Sequence, residues 1–535
     1  MKKFKPVGKI HYDSREVNTS YNLEDLSEGR NLHRNHIIFK DENIIRVFNR
    51  ICDHNGGRIC EREGKLVCPM HGWEFCPETS SYKNIQVVKT EEDFTIDNDQ
   101  LVVKTKSLFP KLSQKSFSKD IKITFISHAC LIVETDEFSF ATDPWVVGFA
   151  FASGWWPKND PVKDWKDKLN AVDFIYISHN HPDHLNQFTL EHIRKDMLFV
   201  VPAFPSNSVL KMMQRFEFSN IQFLEFDQEY NFNDTELQFA LFKSGDFRDD
   251  SGFYFTFGEF SMLSAVDSND LNFLRLPRNI TVYASSFAGG ATGFPLCFET
   301  IPENQKISIM SRNKKANLSV VKKNLSKTHA KFFLPYAGFF QEAAKRDVYI
   351  KESNLKNSVN DYIEYLNEEV LDTTCYDEFL FNGASFISSQ KIEREQSCIS
   401  PENFYKEIFS NYSLKDSEIK EYFINSNFQD NLILYIELTD DDFSNTKLMF
   451  SVNFSKDKPE VKFDDFYWNK IKLENTSTTL NRKLHIKIRQ DSFSWVIDNK
   501  MPWEDLSIGF QCKIDRSPDI YNVDFWDHFT NNYIG

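Results

Sequence analysis

Two short loops constrain the front of this chain more than anything else in it. Cys52-Asp53-His54-Asn55-Gly56-Gly57 and Cys68-Pro69-Met70-His71-Gly72-Trp73 each bring one thiol and one imidazole into a turn. Nine cysteines in 535 residues are too few for a disulfide scaffold, and an odd number does not pair completely. Cys52, Cys60, Cys68 and Cys76 are crowded together, which points to a metal site rather than to crosslinks.

The division of one Cys and one His per loop is what a Rieske 2Fe-2S cluster needs. Two thiolates hold one iron and two imidazoles the other, which raises the potential above that of an all-thiolate cluster. Cys52, His54, Cys68 and His71 are the expected ligands, and the glycines after each histidine let the backbone turn tightly. A Cys2His2 zinc site would use the same four residues, but zinc modules usually pair Cys with Cys and His with His. High-potential Rieske proteins carry a further disulfide at positions matching Gly57 and Met70, and neither is Cys here. That departure indicates the lower-potential type that feeds oxygenases, with Cys60 and Cys76 as ordinary buried thiols. Such a cluster moves one electron and does no substrate chemistry of its own.

Pattern divides the rest. NHIIFK, NIIRVFN, KLVCP, FTID and QLVVKT, separated by Asn, Asp and Gly, predict an all-β unit over residues 1–108. Phe109 to Asp120 reads as a linker. Over 120–345, strands such as IKITFIS, CLIVET and DFIYIS alternate with helical text at Pro161 to Asn170, Thr189 to Lys195 and Ser206 to Phe216, an α/β pattern. Residues 346–535 open with polar helical text and pass to period-two runs (NLILYIEL, LMFSVNF, KLHIKI), an α+β accessory domain. The net charge of −15 disfavours nucleic-acid binding. Lys and Arg balance Asp and Glu over 1–108, so that unit shows a partner a less acidic face. With no signal-like or membrane-spanning run, a cytoplasmic protein is expected.

The second chemical site follows the apolar strand Phe174 to Ser178: His179-Asn180-His181-Pro182-Asp183-His184. Residues i and i+2 leaving a strand end point the same way, and the turn returns Asp183 and His184 towards them. This HxHxDH string resembles the metal loop of the metallo-β-lactamase fold, an αββα sandwich. The opening hairpin with His128 in its turn, the Asp143-Pro144-Trp145 loop and the strand-end Asp267 support the resemblance. No histidine lies between His192 and His329; Asp246 is the nearest candidate for the missing ligand, and Phe333 to Gly338 lacks the usual last histidine. Two or three histidines plus carboxylates with open positions suit a mononuclear ferrous centre that binds O2 better than a dizinc hydrolase. His128 is expected to act as a turn residue, and His192 and His329 to lie on helix and strand surfaces. Asp143 is expected either to organise the loop or to touch metal.

Both sites together, with Gly154-Trp155-Trp156, Phe287 to Pro295, Pro335 to Phe340 and Pro518 to Tyr521, resemble the CMP-N-acetylneuraminate hydroxylase family over nearly the whole chain. The resemblance implies hydroxylation of the N-acetyl group of a CMP-sugar. It also implies O2 and NADH as reactants, with electrons arriving through a reductase and a cytochrome b-type or ferredoxin carrier. His179, His181 and one of Asp183, Asp246 or Asp267 are the expected iron set, with His184 a ligand or proton relay. The family has histidine where Asp246 stands, which puts the metal or the substrate in question. Ala288 to Gly293, Arg248, Arg312 or Lys331 are candidates to meet the phosphate, and Arg50, Arg58, Arg62 and Lys65 to dock an acidic carrier. Two other readings are a zinc hydrolase with the cluster as a redox switch, and an electron-transfer or scaffold protein.

Overall fold

A computed structural model describes residues 3–534 except 43, 54–58, 63, 69–72, 84–86, 246–247, 367–368, 397–406, 409–411, 413 and 474–481. His54, His71 and Asp246 therefore lie outside the described residues, as do Arg58 and the side chain of Arg62.

The first unit is all-β, as its pattern predicts. A long ribbon pairs Gln100–Lys111 with His11–Asn22 from Gln100↔Asn22 to Lys111↔His11. This pairing extends the strand through Phe109 to Lys111, so the linker begins later than its Pro and Ser content suggests. A three-stranded sheet (Gly29–Leu32, His36–Asp41, Ile44–Asn49) and a four-stranded one (Cys60–Arg62, Lys65–Val67, Glu74–Cys76, Ser81–Tyr82) carry the cysteine loops at their strand ends. Cys52 and Cys68 are 0% and 1% exposed in one apolar core with Ile37, Phe48, Trp73 and Phe75.

The second unit is a sandwich of two eight-stranded sheets. One contains Asp120–Ser127, Cys130–Glu134, Ser139–Thr142 and Phe174–Tyr176; the other contains Ser251–Phe257, Phe260–Ser264, Val282–Ser285 and Phe332–Pro335. Their inner faces fill one core rich in Phe, where Phe140 stacks on Phe174 at 5.0 Å. Helices Trp165–Ala171 and Ser208–Arg215 flank the first sheet. The 26-residue helix Glu303–Thr328 packs Val321 and Leu325 on the second. Helical text does not announce that helix, because its apolar stripe is thin against a background of Lys, Asn and Ser.

Chain segments outside 120–345 complete both sheets. Phe4–Lys9 pairs antiparallel with Gln228–Phe232 at the edge of one sheet. Glu378–Asn382 pairs with Asp120–Thr124 and Glu369–Val370 with Phe332–Phe333. Each segment covers an edge whose N–H and C=O groups would otherwise face solvent, a pairing that sequence distance conceals.

The C-terminal unit is α+β: a five-stranded sheet centred on the parallel pair Leu432–Thr439 and Arg482–Arg489, with helices that include Asp416–Asn425 and Gln490–Asp498. It is fused to the sandwich by a shared core in which Ile175 and Met212 belong to the same cluster as Leu434, Trp503 and Phe529. The fully buried Arg489 pairs with Asp347, and Arg346 with Asp491, across this junction. No helix of the described residues is long and apolar enough to cross a membrane.

Phe4 is 3% exposed and packs on Phe174, Phe232 and Phe239. Phe4→Ala is expected to lower stability by about 3–5 kcal/mol, read as a shifted midpoint in denaturant unfolding of the full chain.

Candidate active site

The strand Phe174–Tyr176 is buried on both faces and ends in the histidine loop. The loop turns because His184 and Leu185 both donate backbone N–H to His181 O, at 3.0 and 2.8 Å. Asn186 fixes the turn from inside by donating to Pro182 O at 2.8 Å. Three further strand ends converge on it. His128, Asp143 and Val266 hold φ of 41°, 35° and 49°, left-handed values that cost non-glycine residues roughly 1–3 kcal/mol each and persist only where the surroundings over-determine them.

Asp143 organises the loop and does not face the cavity. Its carboxylate accepts from Ser178 N (2.7 Å), Ser178 Oγ (2.8 Å) and His184 Nδ1 (3.1 Å), all fully buried. With Nδ1 so held, His184 Nε2 faces Asp267 Oδ2 at 3.3 Å and Asp183 Oδ2 at 3.5 Å. His179 Nε2 lies 2.9 Å from His181 Nδ1, and His181 Nε2 lies 3.1 Å from Glu504 Oε2. His128, expected to serve the turn alone, also brings Nε2 within 3.1 Å of Asp183 Oδ2. His192 and His329 stay outside the site, beside Trp165 and Arg278 respectively.

The charges respond to one another because little water reaches them. Burial disfavours charge on His184, but the carboxylates of Asp183, Asp143 and Asp267 outweigh it and hold the imidazole well above its ordinary pKa. Burial, then His184 and His181, drives His179 well below the usual value. For Asp183, burial pushes upward, yet His184 and His128 win and hold it well below the carboxylate range. Burial raises Asp143.

The donor atoms fit a metal ion. His128, Asp183 and His184 form one set, His179, His181 and Asp183 a second, and His179, His184 and Asp267 a third; within each the ligand atoms lie within 4.8 Å of one another. His128 Nδ1, Asp183 Oδ1 and Asp267 Oδ1 are buried with no hydrogen-bond partner among the described residues. Buried polar atoms left without a partner are costly, and mixed imidazole and carboxylate donors suit iron or zinc. In the first unit, the buried Cys52 and Cys68 share one core, and Cys68 N–H donates to Trp73 O at 2.8 Å. Cys60 and Cys76 bond instead to Val67 O and Glu78 Oε2.

Both regions face one cavity of about 500 Å³. Trp73 lines it from the first unit; His128, His181, Asp183 and Asp267 from the second; Glu504, Arg516, Tyr521 and Trp526 from the third. Arg248 and Ala288 to Gly293 line it, whereas Arg312 and Lys331 bond to Ser308 and Ala384 elsewhere. Sequence reasoning misses Glu504 and Arg516, because no motif surrounds them, and assigns no role to Tyr521 at the end of the Pro518 to Tyr521 segment. Of the expected docking cations, Arg50 spends its guanidinium on Ile59 O and His33 O, and Lys65 pairs with Glu74.

Residues 17–101 match the Rieske [2Fe-2S] domain model and residues 122–257 the beta-lactamase superfamily domain model. A cytidine monophosphate-N-acetylneuraminic acid hydroxylase of Danio rerio is 28% identical over 95% of this chain and 92% of its own. One from Pongo pygmaeus is 27% identical with the same coverage. The chain is a Rieske oxidoreductase, homologous to these hydroxylases. The first unit matches a 2Fe-2S domain, and the histidine-rich site of the second has the donor atoms to hold a metal ion. Among solved structures, the diiron β-hydroxylase CmlA of Streptomyces venezuelae aligns with 51% of this chain and 55% of its own at 14% identity and a TM-score of 0.34.

Replacing Asp143 by Asn keeps its size but weakens its hold on His184. The metal affinity of the histidine-rich site should fall about 10–100-fold, measured by chelator competition, with the visible spectrum of the 2Fe-2S domain unchanged.

Proposed function

We propose that this Rieske monooxygenase hydroxylates the N-acetyl methyl of a CMP-linked sialic acid, giving the N-glycolyl form. NADH supplies the electrons through a reductase and a cytochrome b-type or ferredoxin carrier. The overall balance is one O2, two electrons and two protons in, one C–H bond converted to C–OH, and one water out. The observation that carries the reading is the single cavity walled by all three units, large enough for a nucleotide sugar and open to His181, Asp183 and Asp267. The hydroxylase relatives, similar over 95% of the chain, support the substrate class.

Within this proposal Cys52, Cys68, His54 and His71 hold the cluster, and His179, His181, Asp183 and Asp267 hold iron, with His184 and His128 beside them. Iron supplies the oxidising power that an unactivated C–H bond requires, while the cluster delivers electrons. The protein does the rest by placement. Asp143 fixes His184 Nδ1 and so aims Nε2 at the two carboxylates. Glu504 Oε2 sets the orientation of His181 and can take a proton from its Nε2. Phe151, Trp155 and Phe340 form an aromatic wall, Trp155 stacked on Phe340 at 3.6 Å, that keeps water from the reacting end.

The anionic end needs cations. Arg516 and Arg248 line the cavity, and Arg516 is held by Asp519 and lies against Phe298 at 5.3 Å. Gly289 and Gly290, at φ of 68° and 70°, expose backbone in the same wall that a Cβ would close against Asn317 and Asn354.

Incubating the iron-loaded chain with CMP-N-acetylneuraminate, NADH, reductase, carrier and 18O2 should add one labelled oxygen by mass spectrometry. Zinc-loaded protein that cleaves the nucleotide sugar without reductant would overturn the proposal in favour of hydrolysis. Arg516→Met should raise KM about tenfold or more at little cost in kcat, since a hydrogen bond to a charged group contributes about 1.5–3 kcal/mol.

A further inference from the structure

The segment that carries Cys52 is gripped by two residues from outside both cysteine loops. Asp53 follows Cys52 directly. Its carboxylate accepts from Tyr82 Oη at 2.8 Å and from Lys89 Nζ at 3.1 and 3.2 Å, and its backbone N–H donates back to the Tyr82 hydroxyl at 3.1 Å. Lys89 Nζ also donates to the carbonyl of Ile51, the residue before Cys52. The ammonium therefore clasps Cys52 from both sides along the backbone.

Lys89 is only 2% exposed, a rare state for a lysine. An ammonium taken out of water costs several kcal/mol unless it is paired, and an apolar side chain fills such a space at less cost. Tyr82, 3% exposed, is packed edge-on against Trp73 at 5.6 Å and against Phe75 at 5.3 Å, within the core that holds Cys52 and Cys68. The network thus spans both cysteine loops, although none of its three members offers a thiol or imidazole to the cluster.

We propose that Lys89, acting through Asp53 and Tyr82, is a positioning residue that sets the reduction potential of the cluster. The proposal rests on the cluster being bound at Cys52 and Cys68. Reduction adds one negative charge, and a desolvated ammonium beside Cys52 stabilises it, while the Asp53 carboxylate opposes it. Because the two charges offset one another, removing either leaves the other unbalanced. The two removals must shift the potential in opposite directions.

The test is a spectroelectrochemical titration of the full-length, cluster-loaded protein, followed by visible absorbance and by the EPR signal of the reduced cluster. Lys89→Met is expected to lower the reduction equilibrium constant about tenfold, equal to ~59 mV for one electron, and Asp53→Asn to raise the potential. Lys89→Arg, which keeps the charge, should restore most of the wild-type value. Midpoints unmoved in Lys89→Met and Asp53→Asn, or moved the same way in both, would overturn the proposal. If Lys89→Met failed to retain its cluster, Asp53→Asn decides alone: a raised midpoint supports the proposal, and an unchanged or lowered one overturns it. A wild-type chain with no cluster EPR signal would remove the cluster itself, an outcome distinct from unmoved midpoints in a chain that has one.

Discussion

The site depends on how buried imidazoles and carboxylates balance charge with almost no water. His128, His179 and His184 and the carboxylates of Asp143 and Asp183 are each no more than 2% exposed. An isolated charge there would be prohibitive, so each group is held by a neighbour of opposite sign or by a backbone donor. Asp143 is spoken for by Ser178 and His184. What remains, Asp183 and Asp267 beside His128, His179, His181 and His184, forms three overlapping triads, each with ligand atoms close enough to hold a cation. Strand ends strained at His128, Asp143 and Val266 are the means by which the sandwich brings them to one point.

The third unit completes that arrangement. Glu504 touches His181, and Asn180 in the metal loop donates to Thr530 O at 2.8 Å in the C-terminal segment. Tyr521 and Val523 from the same segment pack on the core around Cys52 and Cys68. One short stretch of chain thus contacts both the cysteine core and the histidine loop. Asp505, next to Glu504, is fully buried, and burial, Asp183 and Glu504 push it well above the carboxylate range.

Much of this was legible in the text of the chain. The Cys and His loops, the HxHxDH string and strand-end Asp267 are local signals, because each places several ligand types within one turn or at one strand end. Asp143 was legible as a member of its loop, but its task was not: only the position of Ser178 and His184 shows that its oxygens are already used. His128 was undervalued because a lone histidine in a hairpin turn carries no spacing information. Glu504 and Arg516 stand in ordinary sequence and acquire meaning only from the fold.

Local pattern determined the β character of the first unit, the strand that delivers the histidines and the identity of most donor groups, because these depend on residues close together in the chain. Tertiary structure alone decided that Phe4–Lys9 and Glu378–Asn382 close the sandwich edges, that Lys89 reaches back to Asp53, and that three units wall one cavity. Those contacts join residues tens to hundreds of positions apart. They arise from edge pairing and shared apolar burial, which depend on complementary surfaces and leave no periodic trace in either partner.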